Sequence, residues 1–355
     1  MTPNAKPTLL KLAQIVALVV LCLAAFDLAL RMAVPDSAQV LQKTVDIQTP
    51  ETLFVKLDQF RRFEGIKVVV LGDSLAFGRT MRDKGDAQWE NHTLSAQLQS
   101  QLERDFPAQK IMVLNLGMNG TVPSDLDNLI RIILPLKPDL VVFDVSMRSL
   151  SRDFDGERQV TRPWLADLSV SPEGNYATGS LAHDVMVNHW YLYRLKDMFQ
   201  QIVFDGQPVT WLAQKRDQLD AKIKGTEPPV VDDLIILMKA RKRYDTIDLK
   251  ADNPQRIALE SVMTRLKDAG QPAIGFYATE NPEKRPDLIE DSKFNPLQAE
   301  LKAIMKGDTV KWFGPLNIYA SDDYLDHVHL SAGGYTKLIT HLSPDVKKLL
   351  AGKEK

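Results

Sequence analysis

The longest apolar block in the chain runs from Leu12 to Leu30, nineteen residues in which only Gln14 and Asp27 are polar. That length approaches the ~20 residues a helix needs to cross a bilayer. Beyond it the pattern shortens. Val68, Val69, Val70 and Leu71 stand in a row between Gly65 and Gly72 and predict a buried parallel strand. Further strands are expected over Ile111–Leu116, Asp139–Asp144, Pro272–Tyr277 and Thr309–Phe313. Between them the apolar period changes from two to near four. Leu94, Leu98 and Leu102 predict a helix over Thr93–Phe106, and Ser124 can cap another that runs to Leu134. Helices over 254–269, 295–306 and 332–350 complete the alternation, which predicts an α/β fold, a three-layer doubly wound parallel sheet.

Two stretches stand outside that alternation. Thr49-Pro50-Glu51 is a good helix start, and Leu53, Leu57, Phe60 and Phe63 follow at helical spacing. This connector, residues 35–64, is expected to be a helix beside the first strand or a short stalk. Residues 151–250 far exceed the dozen or so that a crossover requires, and predict a mainly helical insertion. Within it Leu192, Leu195, Phe199 and Ile202 place an amphipathic helix over Trp190–Phe204, either the core-facing helix of a lid or a surface that meets a membrane or partner.

The N-terminal block reads as an uncleaved signal anchor over residues 1–34, ahead of a domain at 65–350. Asp27 falls where a small residue would mark a cleavage site, and Leu21 before Cys22 does not suit a lipoprotein site. Asp27 and Arg31 lie four apart and can pair on one helix face. Lys6 and Lys11, with no acidic residue before the block, predict an N-terminus inside a cytoplasmic membrane and the remaining chain outside it.

Composition adds limits. The chain has 355 residues, 44% of them hydrophobic and 25% charged, enough for a sizeable core. A net charge of −2 gives no reason to expect nucleic acid. The single cysteine, Cys22, excludes an intramolecular disulfide and a cysteine-rich zinc site.

The candidate chemistry sits at two separated motifs. Gly72-Asp73-Ser74-Leu75 follows the first strand at once, in the crevice beyond the strand ends where α/β sheets bind ligands. The Gly-x-Ser-x-Gly elbow is absent, because Ala76 follows where a glycine would stand. A serine needs a base, and the base needs an orienting partner. Asp326 and His329, three residues apart ahead of Leu330 and the helix-capping Ser331, can supply both.

These two motifs, in this order, resemble those of the SGNH/GDSL hydrolase superfamily, over roughly residues 66–345. The resemblance implies an SGNH-type, flavodoxin-like sheet with Ser74 as nucleophile, His329 as general base and Asp326 as its orienting acid. It implies an oxyanion hole from the Ser74 N–H, from Gly117 and from an asparagine after the third strand. Gly117 would also let substrate approach the backbone. The asparagine is missing: Ser146-Met147-Arg148-Ser149 occupies that stretch, so Arg148 stands in its place. Arg148 could supply positive charge, bind an anionic substrate group or merely pair with a surface carboxylate; Asn119 could compensate or form an ordinary Asn-Gly turn. His327 competes with His329 but has Tyr324, not an acid, three residues before it. His327 and His329 with Asp322, Asp323 and Asp326 also form a set of ligand-type residues; the expectation is nonetheless a site with no metal and no cofactor.

The resemblance implies a serine esterase or acyltransferase. Its anchor and insertion are similar to the SGNH proteins, D-alanylation proteins among them, that work with membrane-bound O-acyltransferases on cell-envelope polymers. The expected substrate is an ester-bearing envelope glycan or lipid, and the expected partner such an acyltransferase. The alternative is a non-catalytic or weakly catalytic glycan-binding or partner module of the same system.

Overall fold

The computed structural model describes residues 5–35, 45–152, 162–171, 173–204, 216 and 233–353. Parts of the expected connector and insertion, 36–44, 153–161 and most of 205–232, lie outside the described residues.

Five parallel strands form the sheet: β1 (Ile66–Gly72), β2 (Ile111–Gly117), β3 (Leu140–Val145), β4 (Ala273–Tyr277) and β5 (Val310–Phe313). Their spatial order is β2-β1-β3-β4-β5. The order reverses between β1 and β3, so the crevice above their carboxyl ends is the switch point of the fold. Alternation divides each strand between two cores. Val69 and Leu71 of β1 face one, Val68 and Val70 the other.

The main helices, with the single turn that carries Ser74, are in chain order α1 (Ala5–Ala33), α2 (Pro50–Arg62), α3 (Ser74–Phe77), α4 (Leu94–Asp105), α5 (Pro123–Ile133), α6 (Leu181–His189), α7 (Tyr191–Phe204), α8 (Asp233–Asp245), α9 (Pro254–Asp268), α10 (Asp291–Ile304) and α11 (Ala332–Leu350). Helices α2, α5, α9 and α10 cover one face of the sheet, and α4 and α11 cover the other. This is the expected three-layer α/β architecture.

Several local expectations are corrected. Helix α5 starts at Pro123, not after a Ser124 cap, because proline needs no N–H at the first helical position and Ser124 N–H donates to Gln255 Oε1 at 3.1 Å. Helix α10 starts at Asp291 and continues through Pro296, since Phe294 and Leu297 bury on the same face as Leu301. Of the two alternatives for the connector, the helix packed beside the sheet is the one present: Leu53, Phe54, Leu57 and Phe60 are fully buried.

Helix α7 packs on α2 through Val55, Leu195 and Met198 and through polar contacts. Asp58 of α2 pairs with Arg194 and accepts the Tyr176 hydroxyl at 2.8 Å, while Glu51 pairs with Lys196. Leu10–Ala33 of α1 is, among the described residues, the one segment long and apolar enough to cross a membrane, and its side chains up to Phe26 are exposed. In its last two turns Asp27 and, in part, Leu30 are covered. Asp27, 8% exposed, accepts the Leu192 N–H at 2.6 Å and the Arg31 Nε at 2.8 Å. Arg31 also donates to the carbonyl of His189, and the Tyr191 hydroxyl donates to that of Val34. Asp27 therefore caps the N-terminus of α7 from a separate helix.

Candidate active site

The turn that carries Ser74 is built by its aspartate. Asp73 is the N-cap of α3, accepting the Leu75 N–H at 2.8 Å, and Ser74 occupies the first helical position. Beneath the turn, Asp144 at the end of β3 accepts the Asp73 N–H at 3.1 Å. Gly72 makes this approach possible, because a Cβ there would lie 2.4 Å from the Asp144 carboxyl carbon, and its φ of +147° suits glycine. Burial, then the neighbouring Asp73 charge, raises the Asp144 carboxyl well above the ordinary range, which favours its neutral form.

The turn that carries the histidine is equally local. Asp326 Oδ1 accepts the N–H groups of Val328 and His329 at 2.9 and 2.8 Å, so the carboxylate is held by its own backbone. Its Oδ2 lies 2.7 Å from His329 Nδ1, and His329 Nε2 lies 2.7 Å from Ser74 Oγ. A carboxylate at Nδ1 calls for a proton on that nitrogen, which leaves Nε2 free to accept from the serine. Burial works to raise the Asp326 carboxyl, but the His329 hydrogen bond and charge outweigh it and hold it far below the ordinary value. Helix α11 latches the two turns together: the Tyr335 hydroxyl donates to the Leu75 carbonyl at 2.6 Å.

Arg148 follows β3 on the short 3-10 turn Met147–Leu150. Its Nη2 is 2.7 Å from Asp73 Oδ2 and 3.3 Å from Ser74 Oγ. Of the alternatives open for this residue, a carboxylate pair is therefore present, but with the buried Asp73 and beside the serine, not with a surface acid. Burial tends to raise the Asp73 carboxyl; the Arg148 charge, helped by the Leu75 N–H, reverses that and lowers it. The Ser74 N–H makes no hydrogen bond among the described residues, as befits the first turn of a helix.

Two expectations for the second-strand loop are corrected. Gly117 does not offer a free N–H: it donates to Asn115 Oδ1 at 2.8 Å. Nor does its missing Cβ make room for substrate, since that Cβ would meet Phe77 N at 2.5 Å and the Ala76 carbonyl carbon at 2.7 Å. The physical reason is register. Gly117 pairs with Gly72 across β1 and β2, so the nucleophile turn itself lies on it. Asn115 braces the same turn by donating Nδ2 to the Ala76 carbonyl at 3.1 Å. Asn119 lies on the exposed loop, where its carbonyl accepts Arg162 Nη2, and it makes no hydrogen bond to Ser74, Arg148 or His329.

The metal arrangement weighed for the aspartate–histidine stretch does not assemble. Asp323 is paired with Lys337 at 2.6 Å and accepts the Ala320 N–H, and Asp326 is turned onto His329. Among the described residues no three His, Cys, Asp or Glu side chains gather in a metal-holding group.

His327 is buried, with Nδ1 4.0 Å from Asp326 Oδ1. Burial pushes its imidazole down from 6.5 to about 4, only partly offset by Asp326. In the unfolded chain it would take up a proton at the higher pH. Between pH 6.5 and 4 the unfolded state thus binds more protons, and stability falls as pH drops through that window. The loss across the window is about 3 kcal/mol. Urea unfolding at pH 7 and pH 4.5 should show it, and His327→Gln should flatten the dependence; an unchanged slope in the variant would assign it elsewhere.

No protein-family model matches the chain, and no curated protein matches its sequence. Several solved structures are similar in part, three of them as follows. One is a catalytic mutant of an acetylxylan esterase from Geobacillus stearothermophilus (14% identity, 80% of this chain and 95% of that chain, TM-score 0.41). Another is a mutant of an acetyl-xylooligosaccharide esterase from the same organism (16% identity, 79% and 94%, TM-score 0.40). The third is an alpha/beta hydrolase enzyme from the metagenome of Lake Arreo, Spain (13% identity, 80% and 96%, TM-score 0.34).

Proposed function

We propose that this protein is a membrane-anchored serine esterase or acyltransferase of SGNH type that acts on ester-linked acyl groups of a cell-envelope glycan or lipid. The observation that carries this reading is the continuous chain Asp326–His329–Ser74, with 2.7 Å at both links, at the switch point of the sheet. His329 removes the hydroxyl proton as Ser74 Oγ attacks the ester carbonyl. The tetrahedral oxyanion is met by the Ser74 N–H and the Arg148 guanidinium. His329 then protonates the departing alcohol, leaving an acyl-serine. Water completes a hydrolysis; an acceptor hydroxyl completes a transfer. Asp326 stabilises the imidazolium throughout.

Support for the anchor comes from the seat of α1. A leader removed near residue 30 would take Asp27 from the start of α7 and leave the Leu192 N–H without its acceptor. The chain should therefore remain in the membrane fraction after alkaline carbonate, with its domain outside the cytoplasm. Release by carbonate with a new N-terminus near residue 35 would overturn the anchor and leave the esterase reading intact. A membrane-bound O-acyltransferase is the partner that this placement suits.

The test of the chemistry is labelling by a fluorophosphonate, which forms a bond only with an activated serine. Wild type should label, Ser74→Ala should not, and the labelled peptide should contain Ser74. A second reading, a binding module with little or no turnover, draws on the Gly117 N–H, which is occupied by Asn115. Unlabelled wild type would favour that second reading.

A further inference from the structure

Strand β4 ends at Tyr277, and shortly after it two polar side chains are almost completely buried: Glu280, 1% exposed, and Asn281, 3% exposed. Buried polar groups require partners, and those of Asn281 include the loop that carries Asp326 and His329. Glu280 accepts the Tyr277 hydroxyl at 2.6 and 2.8 Å and the Tyr244 hydroxyl at 2.8 Å. That carboxylate anchors the segment. Asn281 reaches outward from it into the loop that carries Asp326 and His329. Its backbone N–H donates to the His327 carbonyl at 2.9 Å. Its Nδ2 faces the carbonyls of Ser321 and Asp326, each at 3.4 Å, and its Oδ1 accepts the Ser321 hydroxyl at 3.1 Å and the Glu283 N–H at 3.0 Å.

We propose that Asn281 is a positioning residue for the general base, holding the Asp326–His327 backbone so that His329 meets Ser74. This rests on the serine-esterase reading. The reasoning is geometric. Asp326 binds His329 through its own short turn, so that turn can move as a unit without breaking the acid–base contact. What sets the unit's distance from Ser74 must come from elsewhere in the fold. Asn281 holds the carbonyls of both Asp326 and His327, and it sits on the sheet through β4, adjacent to β3. A base displaced by about 1 Å loses roughly a hundredfold in rate, so small slack here has a large readout.

The experiment uses the full-length protein in detergent and two variants. Asn281→Ala removes every side-chain contact. Asn281→Asp keeps the shape and the Oδ1 acceptor but turns an oxygen toward the two carbonyls. Both should lower kcat on an aryl ester by about 10- to 100-fold, with KM within about threefold. Both should slow fluorophosphonate labelling of Ser74 to a similar degree, while far-ultraviolet circular dichroism stays that of wild type. Ser321→Ala, which loses only the hydroxyl donor, should stay within about threefold of wild type. A merely structural asparagine would change the melting temperature and leave the labelling rate per folded molecule unaltered. Folded Asn281 variants that label and turn over at the wild-type rate overturn the proposal. Should the alanine variant not fold, the near-isosteric aspartate variant decides. If Ser74→Ala labels as fast as wild type, the esterase reading itself has failed, which is a separate outcome.

Discussion

Replacing Ser74 or His329 by alanine should each lower kcat/KM for an aryl ester by at least about 10⁴-fold, and replacing both should cost no more than either alone. The non-additivity is the informative part. Serine without its base is a weak nucleophile, and the base without its serine has no proton to take. Asp326→Asn should be less damaging, because the imidazole keeps its place through a turn that is partly backbone-held, although the Nδ1 proton and the cation lose their carboxylate. His327→Ala should stay within about threefold of wild type, since that ring touches neither Ser74 nor the acid's inner oxygen. Initial rates of wild type and the five variants, at one pH and with folding checked, decide the matter. An inactive His327→Ala beside an active His329→Ala would show that the wrong histidine carries the base.

The second large effect is expected at Arg148, and it has two parts that can be separated. Removing a donor from a developing oxyanion costs about 10²- to 10³-fold in turnover. Removing the guanidinium also leaves Asp73, 3% exposed, as a buried carboxylate without its cation, which destabilises by about 3–5 kcal/mol. Arg148→Met should therefore lose both activity and stability. Adding Asp73→Asn, which preserves the cap on Leu75, should return most of the stability and none of the turnover. The pH dependence follows from Asp73, whose carboxyl Arg148 holds below its ordinary value. A group depressed on folding contributes stability above its unfolded pKa and loses it as pH falls through the folded one. Without Arg148 that contribution vanishes and the buried carboxyl can protonate. The deficit of Arg148→Met against wild type should hence be largest near pH 7 and shrink toward pH 4. A folded Arg148→Met with normal turnover would remove the arginine from the oxyanion site.

What could be read from the sequence was what depends on near neighbours. The β1 run and its flanking glycines give the strand and the turn, because a short apolar run can only be buried. Asp326 and His329 were legible as a pair because three residues span one turn. The pattern could not disclose what the sheet brings together from afar. Asp73 and Arg148 are 75 residues apart, and their pairing depends on β1 and β3 lying side by side. Asn281 meets Asp326 across 45 residues, through a strand whose residues look like plain core. Gly117 misled for the same reason: a glycine after a strand suits a close approach, but only the register with Gly72 says that the approaching group is the protein's own turn. The helix over Pro50–Arg62 carried a strong apolar stripe, yet nothing local distinguished packing on a sheet from standing as a stalk.

The span between Ser74 and His329, 255 residues, and the latch from Tyr335 back to Leu75, 260 residues, have a consequence in time. Contacts so distant in the chain close late, after the loop entropy of everything between them has been overcome. Ser74 emerges from synthesis early and stays without His329 until almost the whole chain is present. A chain interrupted anywhere before His329 carries Ser74 without the imidazole that contacts it. On the proposed chemistry, fluorophosphonate reactivity followed through refolding should report the closing of that contact and not collapse of the sheet.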